Sequence, residues 1–258
     1  MADAIAALSV SGLSLAFGGL KVLQNVSLAA HAGELRALIG PNGAGKTSVL
    51  NCISGIYRAG GGEISMRGEP ITEAKPHAIA RLGIARTFQH GELFPHMSVL
   101  DNLLVARHAR IGAGMLAQAL FLPSARHEES AHRARVEAVL DFVELERYRH
   151  HAVNALPFGV QKIVGFARAL AMEPQVLLLD EPSAGLNREE REDLARHILR
   201  IRHELGIAML WVEHDMQMVA DLADYVYVLN YGVPLAEGSA ESVLNDARVI
   251  DAYLGKPL

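Results

Sequence analysis

A short apolar run, Leu35–Ile39, leads directly into Gly40-Pro41-Asn42-Gly43-Ala44-Gly45-Lys46-Thr47, and a helical stretch, Ser48–Ser54, follows. The eight residues fit the phosphate-loop pattern G-x-x-x-x-G-K-[ST] in full. A continuous apolar strand of this kind suits a parallel sheet buried on both faces. The glycines let the backbone wrap closely around an anion with its amides pointing inward. The following helix, from Ser48 onward, turns its positive end toward the same anion. Lys46 supplies a charge to the β- and γ-phosphates of a nucleotide, and Thr47 offers a hydroxyl to Mg²⁺. A chance glycine-rich turn would not be expected to carry a strand before it and a helix after it.

The rest of the chain is organised around that unit. Leu8–Phe17 alternates apolar with small or polar residues and reads as a strand, Gly18–Gly19 as a turn, and Val22–Ala29 as a second strand. Gly60–Gly62 precedes a further strand at Glu63–Arg67. From about Val99 to Leu170 the chain turns helical, with Val136, Val139, Leu140 and Val143 on one face and a loop between Arg110 and Arg126. Alternating α/β character then returns, with strands at Val176–Leu179, Ile207–Val212 and Tyr225–Leu229 and a charged amphipathic helix over Arg188–Glu204. The expected fold is α/β: a phosphate-loop NTPase core with a mixed or parallel sheet, an antiparallel β subdomain and an inserted helical subdomain. The domain reading is a single domain over residues 1–258, with a core from 1–95 and 171–258 and a helical subdomain at 96–170.

Composition removes several alternatives. The chain has 258 residues, half of them apolar and 21% charged, an ordinary balance for a globular domain. A net charge of −5 argues against a broad nucleic-acid surface. Cys52 is the single cysteine, so no intrachain disulfide forms. No apolar run reaches the ~18–20 residues of a membrane helix, and the N-terminal stretch, with no Lys or Arg before Lys21, lacks the charged region of a signal peptide. Any membrane association is expected through a partner.

Val176-Leu177-Leu178-Leu179-Asp180-Glu181 is the second chemical element. An apolar strand ending in acids puts a carboxylate at the carboxyl edge of the sheet, where ligands bind in such folds. Asp180 is expected to hold Mg²⁺, through water, and Glu181 to polarise the attacking water as a general base. Strand-to-turn junctions often look like this, and the phosphate loop is what gives the acids meaning.

With both elements in order, the chain resembles the ATP-binding cassette ATPases, whose Walker A and Walker B motifs these are. The family's private motifs also occur, in sequence. Gln89, in Arg86-Thr87-Phe88-Gln89, matches the Q-loop glutamine, which the resemblance assigns to the metal and water. Leu156-Pro157-Phe158-Gly159-Val160-Gln161 occupies the place of the signature loop, Ser183-Ala184-Gly185-Leu186-Asn187 resembles the D-loop, and His214 matches the switch histidine at the γ-phosphate. Phe17 lies where the family places an aromatic ring against adenine. The resemblance thus implies ATP and Mg²⁺ as ligands, with Gly40–Ser48 and Phe17 on the nucleotide, Thr47, Gln89 and Asp180 on the metal, and Lys46, Gln89, Glu181 and His214 in hydrolysis. It extends over essentially the whole chain.

The signature departs from Leu-Ser-Gly-Gly-Gln: Pro157 replaces the serine, Phe158 the first glycine and Val160 the glutamine. In the family this loop caps ATP held by the opposite subunit, so a weaker cap is expected here. Phe17-Gly18-Gly19, Glu181-Pro182-Ser183-Ala184-Gly185-Leu186-Asn187 and Ala252-Tyr253-Leu254-Gly255 resemble the larger ATPase subunit of branched-chain amino acid importers. Urea and aromatic-acid importers share much of this, and a soluble cassette ATPase acting as a switch shares the motifs. The importer resemblance implies a second cassette, with a different chain favoured over a second copy of this one, two transmembrane permease subunits and, indirectly, a periplasmic or extracellular solute-binding protein, with no nucleic acid. It places the chain at the cytoplasmic face of the cell membrane. His127, His132, His150 and His151 read as solvated helix residues rather than metal ligands, Cys52 and Trp211 as core, and Arg188–Arg196 as a solvated helix face.

Overall fold

The computed structural model describes residues 5–87, 93–112 and 122–254. Two compact units are present, one formed by Met1–Gln89 with Gln175–Leu258 and the other by His90–Pro174.

In the first unit, strand β1 (Leu8–Phe17) turns through Gly18–Gly19 into β2 (Leu20–Ala30), and Phe17 pairs with Leu20. With β4 (Gly61–Met66) and β5 (Glu69–Pro70) they make an antiparallel sheet in the order β2-β1-β4-β5. Strand β3 (Leu35–Ile39) enters a second sheet with β6 (Ile84–Thr87), β7 (Val176–Asp180), β8 (Ala208–Val212), β9 (Tyr225–Asn230) and β10 (Val233–Gly238), ordered β10-β9-β3-β8-β7-β6. Every pairing there is parallel except β10 with β9, so the sheet is mixed. Helix α1 (Lys46–Ile53) follows β3, and α2 (Pro76–Leu82) precedes β6.

Burial on both faces explains the near-continuous apolar runs of β3, β7 and β8. Successive side chains of β3 point to opposite sides. Leu38 joins a core with Val49, Leu50 and Ile53 of α1 and with Leu8 and Leu13 of the antiparallel sheet. Ala37 and Ile39 join a second core with Val226, Val228, Val243 and Val249. Leu38 is fully buried, so Leu38→Ala removes side-chain contacts worth about 2–5 kcal/mol.

Strand register is what places the site. Leu38 pairs with Val212, Ile39 with Val228, and Asp180 with Val212. The carboxyl ends of β3, β7 and β8 therefore lie side by side, and the phosphate loop, Asp180-Glu181 and Glu213-His214 all emerge at one sheet edge. Helix α6 (Arg188–Arg200) begins with a capping box, Asn187 to Glu190, and continues into a π-helical turn at Ile201–Leu205. Helix α7 (Met216–Leu222) follows β8. The structure adds β10, α8 (Ala240–Leu244) and α9 (Ala247–Tyr253) where the sequence reading named no elements, and α1 starts at Lys46 rather than Ser48.

The second unit holds α3 (Val99–Ala106), α4 (Pro123–Phe142) and α5 (Phe158–Leu170), which pack on one another. Ser98 caps α3 by accepting from Asp101 N–H at 3.1 Å. Pro123 at the start of α4 needs no N–H partner there, so the helix begins within the segment expected to hold a loop. Arg107 is buried, donating to the Ala171 carbonyl at 2.7 Å and to His132 Nδ1 at 2.7 Å.

Candidate nucleotide-binding and hydrolytic site

The phosphate loop is shaped by glycines at its two ends. Gly40 has φ +148°, and a Cβ there would stand 2.1 Å from the Leu229 carbonyl oxygen. Gly45 has φ +100°, and a Cβ would meet Leu23 Cδ2 at 2.7 Å and the Val22 carbonyl at 3.1 Å. Gly40 admits no side chain without backbone movement, and at Gly45 the left-handed φ disfavours one. The loop is tied from the C-terminal side as well: Gly232 N–H donates to the Ala44 carbonyl at 2.9 Å. Burial pushes the phenol of Tyr253 on α9 up to about 12, with the nearby Gly40 backbone pulling it the other way.

Lys46 is buried, and its ammonium donates to the carbonyls of Gly40 at 2.7 Å and Pro41 at 3.0 Å. Burial pushes its pKa down, against the upward pull of the Glu181 and Asp180 carboxylates. Thr47 is exposed beside it, and Ser48 half-buried. Gly45 caps α1 without any side-chain hydrogen bond, which leaves the first amides of that helix open to an acceptor.

Asp180 closes β7 and is 3% exposed. Its Oδ2 accepts from Arg86 Nη2 at 2.6 Å, and Arg86 Nη1 donates to Asn51 Oδ1 on α1 at 2.7 Å. Its Oδ1 is buried with no hydrogen-bond partner among the described residues. A buried carboxylate oxygen left without a donor is an acceptor set toward a cation or its water. Among the described residues no three His, Cys, Asp or Glu side chains form a metal cage. Mg²⁺ needs none, since one or two carboxylates and substrate phosphates complete its shell. Asp180 and the Thr47 hydroxyl fit such an ion.

Glu181 has φ +46°, a left-handed conformation uncommon for a non-glycine residue. Its N–H donates to the Val212 carbonyl at 2.9 Å, which fixes this turn to β8. Its Oε1 lies 2.6 Å from His214 Nε2. Ser183 and Leu186 are buried, Ala184 and Gly185 exposed, and Asn187 accepts from Glu190 N–H at 3.0 Å as the cap of α6. Phe17, at the end of β1, is 48% exposed, its ring edge-on to Tyr57 at 5.1 Å. The structure thus brings Lys46, Thr47, Asp180, Glu181 and His214 to one sheet edge. Gln89 lies outside the described residues. Arg86, Tyr57, Asn51 and Glu213 received no role from sequence. Arg86 lies inside the Arg86-Thr87-Phe88-Gln89 motif, but its partners across the sheet are set by tertiary pairing.

In the helical unit the signature positions open α5. Leu156 is buried; Pro157 and Phe158 are exposed. Pro157 caps the helix with no side-chain hydrogen bond. Gln161 turns its amide back to the Leu156 carbonyl at 2.8 Å, and Lys162 stands over the Phe158 ring at 5.5 Å. Gly159 is buried and Val160 half-buried.

A mixed sheet with a phosphate loop after its central strand and acids at the ends of its neighbours defines a phosphate-loop nucleotide hydrolase. The comparisons narrow the class. Residues 23–184 match the family model for ABC transporters, and residues 233–257 match the one for the branched-chain amino acid ATP-binding cassette transporter. The high-affinity branched-chain amino acid transport ATP-binding protein LivG of Escherichia coli K12 is 41% identical over 96% of this chain and 98% of its own length. BraF of Pseudomonas aeruginosa, which carries the same description, is 40% identical over the same shares. The fold superposes on a nucleotide-free ATP-binding cassette from an ABC transporter with a TM-score of 0.85 and 30% identity, over 97% of this chain and 100% of that one. The ADP conformation of MJ1267, an ATP-binding cassette of an ABC transporter, gives a TM-score of 0.85 and 30% identity, over 98% of this chain and 100% of that one. The chain belongs to the ATP-binding cassette family of transporter ATPases.

Proposed function

We propose that this chain is the ATP-hydrolysing motor of an importer for branched-chain amino acids. The observation that carries the reading is the meeting of Lys46, Asp180, Glu181 and His214 at one sheet edge, in a chain similar along 96% of its length to branched-chain amino acid transport ATP-binding proteins. No described helix is long and apolar enough to cross a membrane, so the work would pass through two permease subunits. The chain would sit on them at the cytoplasmic face of the membrane.

The chain's own residues divide the chemistry. The amides from Gly40 to Ser48 and the Lys46 ammonium bind the β- and γ-phosphates, and Phe17 backs the adenine. Thr47, Asp180 and Gln89 would hold Mg²⁺, which when bound neutralises charge on the β- and γ-phosphate oxygens. Glu181 takes the proton of the attacking water, and His214 orients Glu181 and reaches the γ-phosphate. The loop Leu156–Gln161 of one cassette caps the ATP of its partner, a different chain, and Ser183–Asn187 lines the seam. Positioning and electrostatics carry the rate.

The test is to tag the chain in its native cell, solubilise the membrane gently and identify what co-purifies. Two multi-span proteins and a second cassette are expected. The reconstituted complex should hydrolyse ATP faster when its solute-binding protein carries leucine, isoleucine or valine, and Lys46→Ala should remove that activity. Stimulation by urea or aromatic acids instead would reassign the solute. A chain that stays free of membrane partners would make it a soluble switch.

A further inference from the structure

Glu213 directly precedes His214 and is 2% exposed. Its Oε1 accepts from His214 N–H at 2.7 Å and from Asp215 N–H at 3.2 Å, and its Oε2 accepts from the Trp211 indole N–H at 3.2 Å. Among the described residues it has no ion-pair partner, so three N–H donors take the place of water around a buried carboxylate. Burial of that charge is tolerable only with its lone pairs filled in this way.

The next residue is held as firmly. Asp215 caps α7 by accepting from Gln217 N–H at 3.0 Å and Met218 N–H at 3.2 Å, and it pairs with Arg191 at 2.6 Å. A helix start needs one such cap, and Asp215 supplies it. The Glu213 carboxylate acts upstream of that cap, on the peptide groups of His214 itself and its neighbour. Fixing those two amides fixes the backbone from which the imidazole leaves, and the imidazole must reach Glu181 across the gap between adjacent strands.

We propose that Glu213 is a positioning residue for hydrolysis: its buried carboxylate locks the β8–α7 turn so that His214 stays within hydrogen-bond reach of Glu181. The inference rests on the role of His214 given above. A misplacement of about 1 Å near reacting groups can lower a rate by about a hundredfold, so loss of the lock should fall on kcat and leave the phosphate loop's hold on ATP intact. The chain also contains its own reporter. Trp211 is the single tryptophan, and its indole N–H bond to Glu213 sets the indole resonance Raman and emission signals.

The experiment compares the full chain, assembled with its co-purified partners, as wild type, Glu213→Ala, Glu213→Asp, Glu213→Gln and His214→Ala. Glu213→Asp keeps the charge and shortens the reach by one methylene, so it cannot hold the indole and both amides together. It serves if the alanine variant does not fold. The expected result is a fall in kcat of about ten- to a hundredfold for the alanine and aspartate variants. The KM for ATP should not change, and the indole signal should shift toward a weaker N–H bond. Glu213→Gln, which retains an oxygen for the two backbone amides, should recover most of kcat. The proposal is overturned if a folded alanine or aspartate variant turns over at the wild-type rate, if KM rises as kcat falls, or if glutamine rescues nothing. Undiminished turnover in His214→Ala would overturn the histidine's role, and the proposal with it. Loss in His214→Ala with none in the Glu213 variants would overturn the proposal alone.

Discussion

His214 Nε2 and Glu181 Oε1 stand 2.6 Å apart, although the residues are 33 positions apart in sequence and leave the ends of different strands. The contact exists because β7 and β8 are parallel neighbours in register, with Asp180 opposite Val212. The left-handed backbone of Glu181 turns its side chain back toward the histidine. Glu181→Gln keeps the shape and removes the base. It should lower single-turnover hydrolysis by about 10²–10⁴ while ATP still binds. Near-wild-type turnover in that variant would remove Glu181 from the role.

The phosphate loop and the acids of β7 were legible because local pattern alone specifies them: a strand, glycines and a lysine, or four apolar residues and two acids. The sheet's carboxyl edge was legible for the same reason. Pairings set by tertiary register were not. Nothing adjacent to Arg86 in sequence names Asp180 or Asn51, and nothing in the sequence beside Glu213 shows that its carboxylate is buried against Trp211 and the His214 amide. The elements β10, α8 and α9 escaped because Val233–Tyr253 mixes short apolar pieces with Pro234, Gly238 and Asn245 and has no sustained period. The start of α4 was hidden by reading Pro123 as a breaker rather than as a first-turn residue.

Arg86 and Asp180 form a buried ion pair at 2.6 Å. Removing one member of such a pair leaves an uncompensated charge and costs about 3–5 kcal/mol. Arg86→Ala should therefore unfold more readily in denaturant by about that amount, and Asp180→Asn in the same chain should give part of it back. Additive losses in the double-mutant cycle would show that the two groups are not coupled.

Asp215 gives a pH dependence with a definite sign. Partial burial raises its carboxyl, but the Met218 and Gln217 amides and Arg191 lower it further, so it ends below its ordinary value. A folded-state value below the unfolded one, about 3.9, means that the stabilisation is fully present above about pH 4 and disappears as pH falls through the folded value. Asp215→Asn keeps an oxygen for the cap and removes the charge. At pH 7 it should be less stable than wild type by about 1 kcal/mol, and the gap should close below pH 4. A gap of constant size from pH 7 to pH 3 would assign the effect to packing rather than charge.

The signature helix α5 opens with bare amides: Pro157 has no hydroxyl to offer, and the Gln161 amide is spent on the Leu156 carbonyl. Only backbone N–H groups and the helix dipole remain to meet a partner's phosphate. Val160, half-buried on the first turn, contributes no side-chain donor. Val160→Gln places a side-chain amide there, and Pro157→Ser restores a hydroxyl that can also cap the helix. In the assembled transporter each should raise the ATPase rate, by about two- to tenfold for one added hydrogen bond in the closed state. The gain should appear at the partner's ATP site, so it should persist when this chain carries Glu181→Gln and vanish when the partner cassette is made catalytically dead. An unchanged rate in Val160→Gln would mean that the backbone amides of α5 already meet the needs of the partner's nucleotide.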